Sequence, residues 1–131
     1  KKFSLNHHWV IPANPSVYDI DHAFAQSDLM YWKQKLNYQI DDYVFIYYGL
    51  PYRELRYLCK VVEKDVVFYD KSGKRTDEET YICLQKIYFF DDHKLTKKFI
   101  SNYGLTNIRG ARSIPKELIN QIYKMYPAIM I

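Results

Sequence analysis

The sequence predicts an α+β fold: a curled β-barrel of about five or six short strands with about three flanking helices. Three observations predict it. Short apolar, β-branched and aromatic runs recur with turn residues between them. Helical spacing of apolar residues appears in only three places, too few for a doubly wound parallel sheet. The length, 131 residues, is that of one domain at about 100–200 residues per domain, and no linker or internal repeat divides it. Residues 1–131 are therefore read as a single domain.

In chain order, His7–Ile11 (HHWVI) reads as a short strand stopped by Pro12 and Pro15. Ser16 is placed to cap a helix carrying Val17, Ile20, Ala23 and Phe24 at helical spacing, with Asp19 in its first turn. Leu29–Gln34 is a short extended segment, and Asp41-Asp42 mark a turn before the apolar strand Tyr43–Tyr48. Beyond Gly49-Leu50-Pro51, Glu54–Val62 and Val66–Tyr69 read as two strands, Asp70–Glu79 as a polar loop and Tyr81–Phe89 as another strand. Lys94–Tyr103 has helical spacing, with Thr96 near its start and Gly104 as a stop. Asn107–Ser113 is irregular, and Pro115–Tyr126 is a last helix ended by Pro127.

Composition excludes several classes. Hydrophobic residues make up 48% and charged residues 26% of the chain, which is globular rather than disordered. No apolar run reaches the ~20 residues of a membrane span, and no signal-peptide pattern is present. Cys59 and Cys83 stand alone in strand-like runs, which reads as buried free thiols in a reducing cytoplasm. His7, His8, His22 and His93 lack ligand spacing, so neither a metal nor a cofactor is expected. The start at Lys1-Lys2 and the stop at Met130-Ile131 suggest a domain excised from a longer chain.

Two features stand out. Rings are abundant: 14 Tyr, 7 Phe and 2 Trp. Strand tyrosines and a codon-biased genome account for most of them. The net charge of +4 conceals an asymmetry, because residues 93–131 hold seven basic residues and one acid. Lys94, Lys97 and Lys98 are placed on one helix face, and Arg109 and Arg112 flank Gly110 in a loop. A basic patch beside aromatic residues suits a phosphate backbone and an unstacked base.

Several motifs occur in a telling order: Trp9 in the first strand, Asn14-Pro15 with Tyr18-Asp19 in the turn, and Trp32-Lys33-Gln34 after the first helix. The strand Asp42–Tyr47 (DYVFIY) and the loop Arg109–Arg112 (RGAR) follow. Over roughly residues 7–125 this order resembles PUA-like domains of the EVE branch, related in fold to YTH and ASCH domains. The resemblance implies a reader rather than a catalyst, one that accepts a modified base from DNA or RNA into an aromatic pocket. It also implies fusion to an effector, such as the GTPase or nuclease of an Mcr-type restriction system. Trp32 matches the first cage tryptophan of YTH-like readers. Tyr48, at its strand end, is a second candidate wall; Trp9 reads as a core ring or a further pocket candidate, and Tyr18 and Tyr47 are poorer pocket candidates that could equally pack. Asn14 offers a donor and an acceptor to a base edge, and Lys33 and Gln34 follow Trp32 directly. Arg109, Gly110, Arg112, Lys94, Lys97 and Lys98 are the candidate backbone contacts. Modified double-stranded DNA is the expected partner and RNA the alternative, with a small-molecule barrel as a weaker reading.

No catalytic residue is expected. A metal nuclease of the PD-(D/E)xK type needs acid-x-Lys on a strand, and Tyr81–Phe89 offers Gln85-Lys86 instead. HNH patterns, Gly-rich phosphate loops and nucleophile elbows are absent from the sequence.

Overall fold

The computed structural model describes residues 7–129; Lys1-Lys2 and Met130-Ile131, on which the excised-domain reading rests, lie outside them. The elements are β1 (His8–Ala13), α1 (Ile20–Gln26), β2 (Leu29–Lys33), β3 (Tyr43–Tyr48), β4 (Glu54–Val66), β5 (Tyr81–Phe89), α2 (Lys97–Ser101), β6 (Arg112–Ser113) and α3 (Lys116–Met125), then a 3₁₀ turn at Pro127–Ile129. The strands form one mixed sheet in the order β2-β5-β4-β3-β1-β6. The predicted class, strand number and helix number hold, but the sheet remains open between β2 and β6. The β1–α1 turn reaches the β2 edge, where Tyr18 meets the Trp32 ring edge-on at 6.3 Å between centroids.

β3 is the most apolar strand because both its faces are covered. Tyr43, Phe45 and Tyr47 join a core under α2 and α3, while Val44, Ile46 and Tyr48 join a second core with Ile20 and Phe24 of α1. β1 runs parallel to β3 and ends two residues later than expected, passing through Pro12. The His8 carbonyl points toward β6 and those of His7 and Ala13 toward β3. Strand alternation therefore aims Pro12, like His8, at the β6 side, where pairing ends at Val10. No ladder bond is lost there, so the proline is tolerated.

Three other boundaries differ from expectation. The cap of α1 is Asp19, whose carboxylate accepts from the His22 N–H at 3.0 Å. Ser16 instead donates through its N–H and hydroxyl to Asn14 Oδ1, at 3.0 and 2.6 Å, which leaves Val17 outside the helix. β4 is one strand of 13 residues rather than two, because register shifts against β5 absorb the breaks in alternation. Lys94 precedes α2, which Thr96 caps by accepting from the Phe99 N–H at 3.2 Å. Gly104 terminates that region at φ +97°, a conformation that favours glycine.

Arg56 is the extra residue of a β-bulge, since Tyr47 opposes Leu55 while Ile46 opposes Tyr57. The bulge holds its guanidinium inside the molecule, 4.9 Å from the ring centres of both Tyr48 and Tyr52 and 5.3 Å from that of Phe89. Glu54, also buried, pairs with Arg56 Nε at 3.4 Å and lies 3.0 Å from His93 Nδ1. Asp21 accepts from the Tyr48 and Tyr57 hydroxyls at 2.8 and 2.5 Å.

Burial raises the phenol of Tyr38 to about 12. Burial also pushes Tyr48, Tyr57, Tyr123 and Tyr126 well above the ordinary 10.0, with carboxylate hydrogen bonds adding to the shift at Tyr48, Tyr57 and Tyr126. These groups stay protonated in the folded chain while their unfolded counterparts ionise. Stability is therefore complete below pH 10 and falls above it, by about 1.4 kcal/mol per pH unit for each such group. Denaturant midpoints measured against pH are expected to drop above pH 10, with tyrosinate absorbance of the buried rings appearing only as the fold is lost. Titration of every tyrosine near pH 10 in folded protein would contradict this.

Candidate nucleic-acid interface

Two neighbouring surfaces carry the chemistry, one aromatic and one basic. The aromatic cleft, of about 380 Å³, is lined by Tyr18, Tyr31, Trp32, Lys33, Lys35 and Tyr81, a size within the ~300–1,000 Å³ of small-ligand sites. Its position follows from strand geometry. Tyr31, Trp32 and Lys33 are consecutive in β2, so their side chains alternate between the faces of the sheet. A cleft touching all three lies along the open edge of that strand. The Asp28 carbonyl and the Gln34 N–H both bond toward β5. The alternate residues Tyr31 and Lys33 therefore turn their main-chain N–H and C=O outward, as an edge strand does. The walls are braced from behind. Tyr31 donates to Glu63 at 3.0 Å and Tyr81 to Asp77 at 2.6 Å. Phe68 packs edge-on against both rings.

The basic surface is built from the β3–β4 turn and the segment around α2. One cleft is lined by Tyr52, Arg53, Thr96, Lys97, Lys98, Ser101 and Thr106. A second adds Tyr47, Gly49, Leu50, Asn107, Ile108 and Arg109, and shares Arg53, Lys97 and Thr106 with the first. A third continues from Gly49 and Leu50 to Asn14 and Ser16. The carbonyl of Asn14 accepts from the Tyr18 N–H at 3.1 Å, which joins this track to the turn that delivers Tyr18 to the aromatic cleft. The first two clefts are basic and the third is uncharged, and no carboxylate of the described residues lines any of them.

The structure thus brings Trp32, Tyr18 and Lys33 together, and Lys97, Lys98 and Arg109. Other candidates are placed elsewhere. Tyr48 is 1% exposed and holds Asp21, so it is not a wall of the Trp32 cleft. Trp9 is half-buried, donating through Nε1 to Asp42 at 2.9 Å and packing edge-on against Tyr38, which makes it a core ring. Asn14 uses its side-chain oxygen within its own turn. Gln34 is tied to Asp65 by two hydrogen bonds of 2.8 and 2.7 Å. Arg112 donates to the Asn107 carbonyl at 2.9 Å and lies outside the clefts that hold Arg53 and Arg109. A Cβ at Gly110 would meet open space, so nothing within the chain requires glycine there. Lys94 is exposed before α2.

Sequence reasoning missed Arg53, Tyr31, Tyr81 and Lys35. Arg53 lies in the acidic portion of the chain and reaches the basic surface only through the turn, where its carbonyl accepts from the Lys97 N–H at 2.8 Å. Alternation in LMYWK could have flagged Tyr31, but the opposing Lys33–Tyr81 pair is a product of sheet register. Among the described residues, no group of His, Cys, Asp and Glu could hold a metal ion. No helix among them is long and apolar enough to cross a membrane.

No protein-family model matches the chain, and no curated protein sequence matches it. Solved structures do. A hypothetical protein from Leishmania major superposes with a TM-score of 0.64 at 14% identity, covering 94% of this chain and 96% of that one. An NMR structure from Rhodopseudomonas palustris gives 0.66 at 14% identity, covering 95% and 96%. The crystal structure of ASCH from Zymomonas mobilis gives 0.64 at 10% identity, covering 91% and 95%. At these identities the likeness is one of fold, and the fold is the PUA-like one of ASCH domains.

Proposed function

We propose that this PUA-like chain is a non-catalytic nucleic-acid-binding module that reads a modified base flipped out of duplex DNA. The base would be a methylated or hydroxymethylated cytosine, or N6-methyladenine. The observation that carries the reading is the pairing of an aromatic cleft of a size for one base with carboxylate-free basic clefts, linked through the turn in which the Tyr18 N–H donates to the Asn14 carbonyl. Trp32 and Tyr18 supply apolar faces for the ring. The outward main-chain groups of Tyr31 and Lys33 supply fixed donors and acceptors for its edge. Arg53, Lys97, Lys98 and Arg109 hold the backbone on either side of the extruded nucleotide. A module of this kind directs a fused or associated effector, such as a GTPase or nuclease of a restriction system, to modified DNA.

The test is binding of duplexes that carry 5-methylcytosine, 5-hydroxymethylcytosine, N6-methyladenine or no modification, with RNA alongside. One modified duplex is expected to bind about tenfold or more tightly than the plain one, in line with stacking of ~1–3 kcal/mol per base. Equal affinity for all four, with RNA bound more tightly, would replace this reading with an RNA-binding one. Arg53→Ala and Arg109→Ala are each expected to weaken all duplexes alike and to lower the salt slope by about 1.

A further inference from the structure

Leu50 is 65% exposed, and its surroundings set it apart from the scattered surface leucines of any protein. It lines both the cleft with Arg53, Lys97 and Arg109 and the adjoining cleft with Asn14 and Ser16. Its turn is tied down by main-chain bonds. The Tyr52 and Arg53 N–H groups donate to the Gly49 carbonyl at 3.0 and 3.1 Å, and the Gly49 N–H donates to Ala13 on β1 at 3.0 Å. The result is an aliphatic side chain on a fastened tip, with cations at hand and no carboxylate in the surrounding clefts. Folding gains little from a leucine left in water there.

We propose that Leu50 is a wedge that enters the base stack of duplex DNA beside the extruded nucleotide. The inference rests on the modified-base reading and adds to it the means of opening the duplex. Phosphates held by Arg53, Lys97 and Arg109 bring the groove onto the tip. The leucine then takes the apolar space that the departing base leaves, as aliphatic wedges do when they unstack a base step. Paired DNA is the occupant that needs this device, because a base in a single strand is already free of its partner.

The test compares the native protein with Leu50→Ala and Leu50→Met on a modified paired duplex and on a single strand carrying the same base. A fluorescent adenine analogue next to the modified base reports unstacking, and thermal unfolding confirms that each variant is folded. Leu50→Ala is expected to lose about tenfold or more in duplex affinity together with the fluorescence rise, while single-strand affinity stays within about twofold. Leu50→Met, which keeps an apolar tip, is expected to retain both. A Leu50→Ala protein that binds and unstacks the paired duplex like the native one overturns the wedge and leaves the base reading standing. A native protein that prefers the modified base in single strands but never unstacks a duplex overturns the wedge together with base flipping from duplex DNA, and leaves only a single-strand reader. Absence of any preference for the modified base, in either form, overturns both.

Discussion

Trp32→Ala is expected to abolish discrimination between modified and plain duplexes while leaving residual binding to both. The indole is half-buried at the open edge of the sheet, packed on one side against the α1 core and exposed on the other to the cleft. Removing it takes away one wall and the ring's contact with Tyr18. Stacking on an aromatic wall is worth ~1–3 kcal/mol per base, or about ten- to a hundredfold in affinity. The loss falls on the modified base because the phosphate contacts are made by other residues. Trp32→Phe is expected to recover part of the preference. The check is the ratio of the two dissociation constants at fixed salt, and an unchanged ratio in Trp32→Ala would remove this cleft from the reading.

The second large effect concerns stability. Glu54→Ala is expected to destabilise the fold by about 3–5 kcal/mol, the usual result of removing one partner from a buried ion pair. Arg56 is 7% exposed, its Nε meets Glu54 at 3.4 Å as an ion pair without a hydrogen bond, and its Nη1 lacks a hydrogen-bond partner among the described residues. Without Glu54 the guanidinium keeps only aromatic faces and Asp21, at 3.8 Å from its Nη2. Against a total of about 5–15 kcal/mol for a domain, such a loss brings the variant close to unfolding. The combination Glu54→Leu with Arg56→Met is expected to be markedly more stable than Glu54→Ala, because no buried charge is left unpaired. Urea denaturation of the native protein and these variants measures both effects. A Glu54→Ala protein of native stability would show that the pair is not coupled to folding.

Much of the fold was legible in the sequence. The limits of β3 and β5 follow from uninterrupted apolar or alternating runs, since both are local properties of consecutive residues. The errors have local causes too. Pro12 and Pro15 implied a stop after Ile11, yet Pro12 occupies an edge position where no ladder bond is needed. The break in alternation after Val62 implied two strands, yet bulged pairing with β5 carries a single strand through. The site was less legible. Tyr18 stands beside Trp32 and Lys33 because the β1–α1 turn reaches the β2 edge, and no spacing rule predicts that approach. Tyr48 and Trp9 have the residue types of a cage, but Asp21 and Asp42 hold them in the interior.

By itself the sequence determined the class, the limits of β3 and β5 and the basic bias of the last third, whereas the two-residue β6 fell in a segment read as irregular. What it determined is encoded in residue order or composition. Tertiary structure alone decided that the sheet stays open, that Arg53 joins the C-terminal lysines, and which rings face water. Those outcomes depend on pairing between segments far apart in the chain. A tyrosine or tryptophan has the same local signature whether its far side meets a core, a carboxylate or an open cleft.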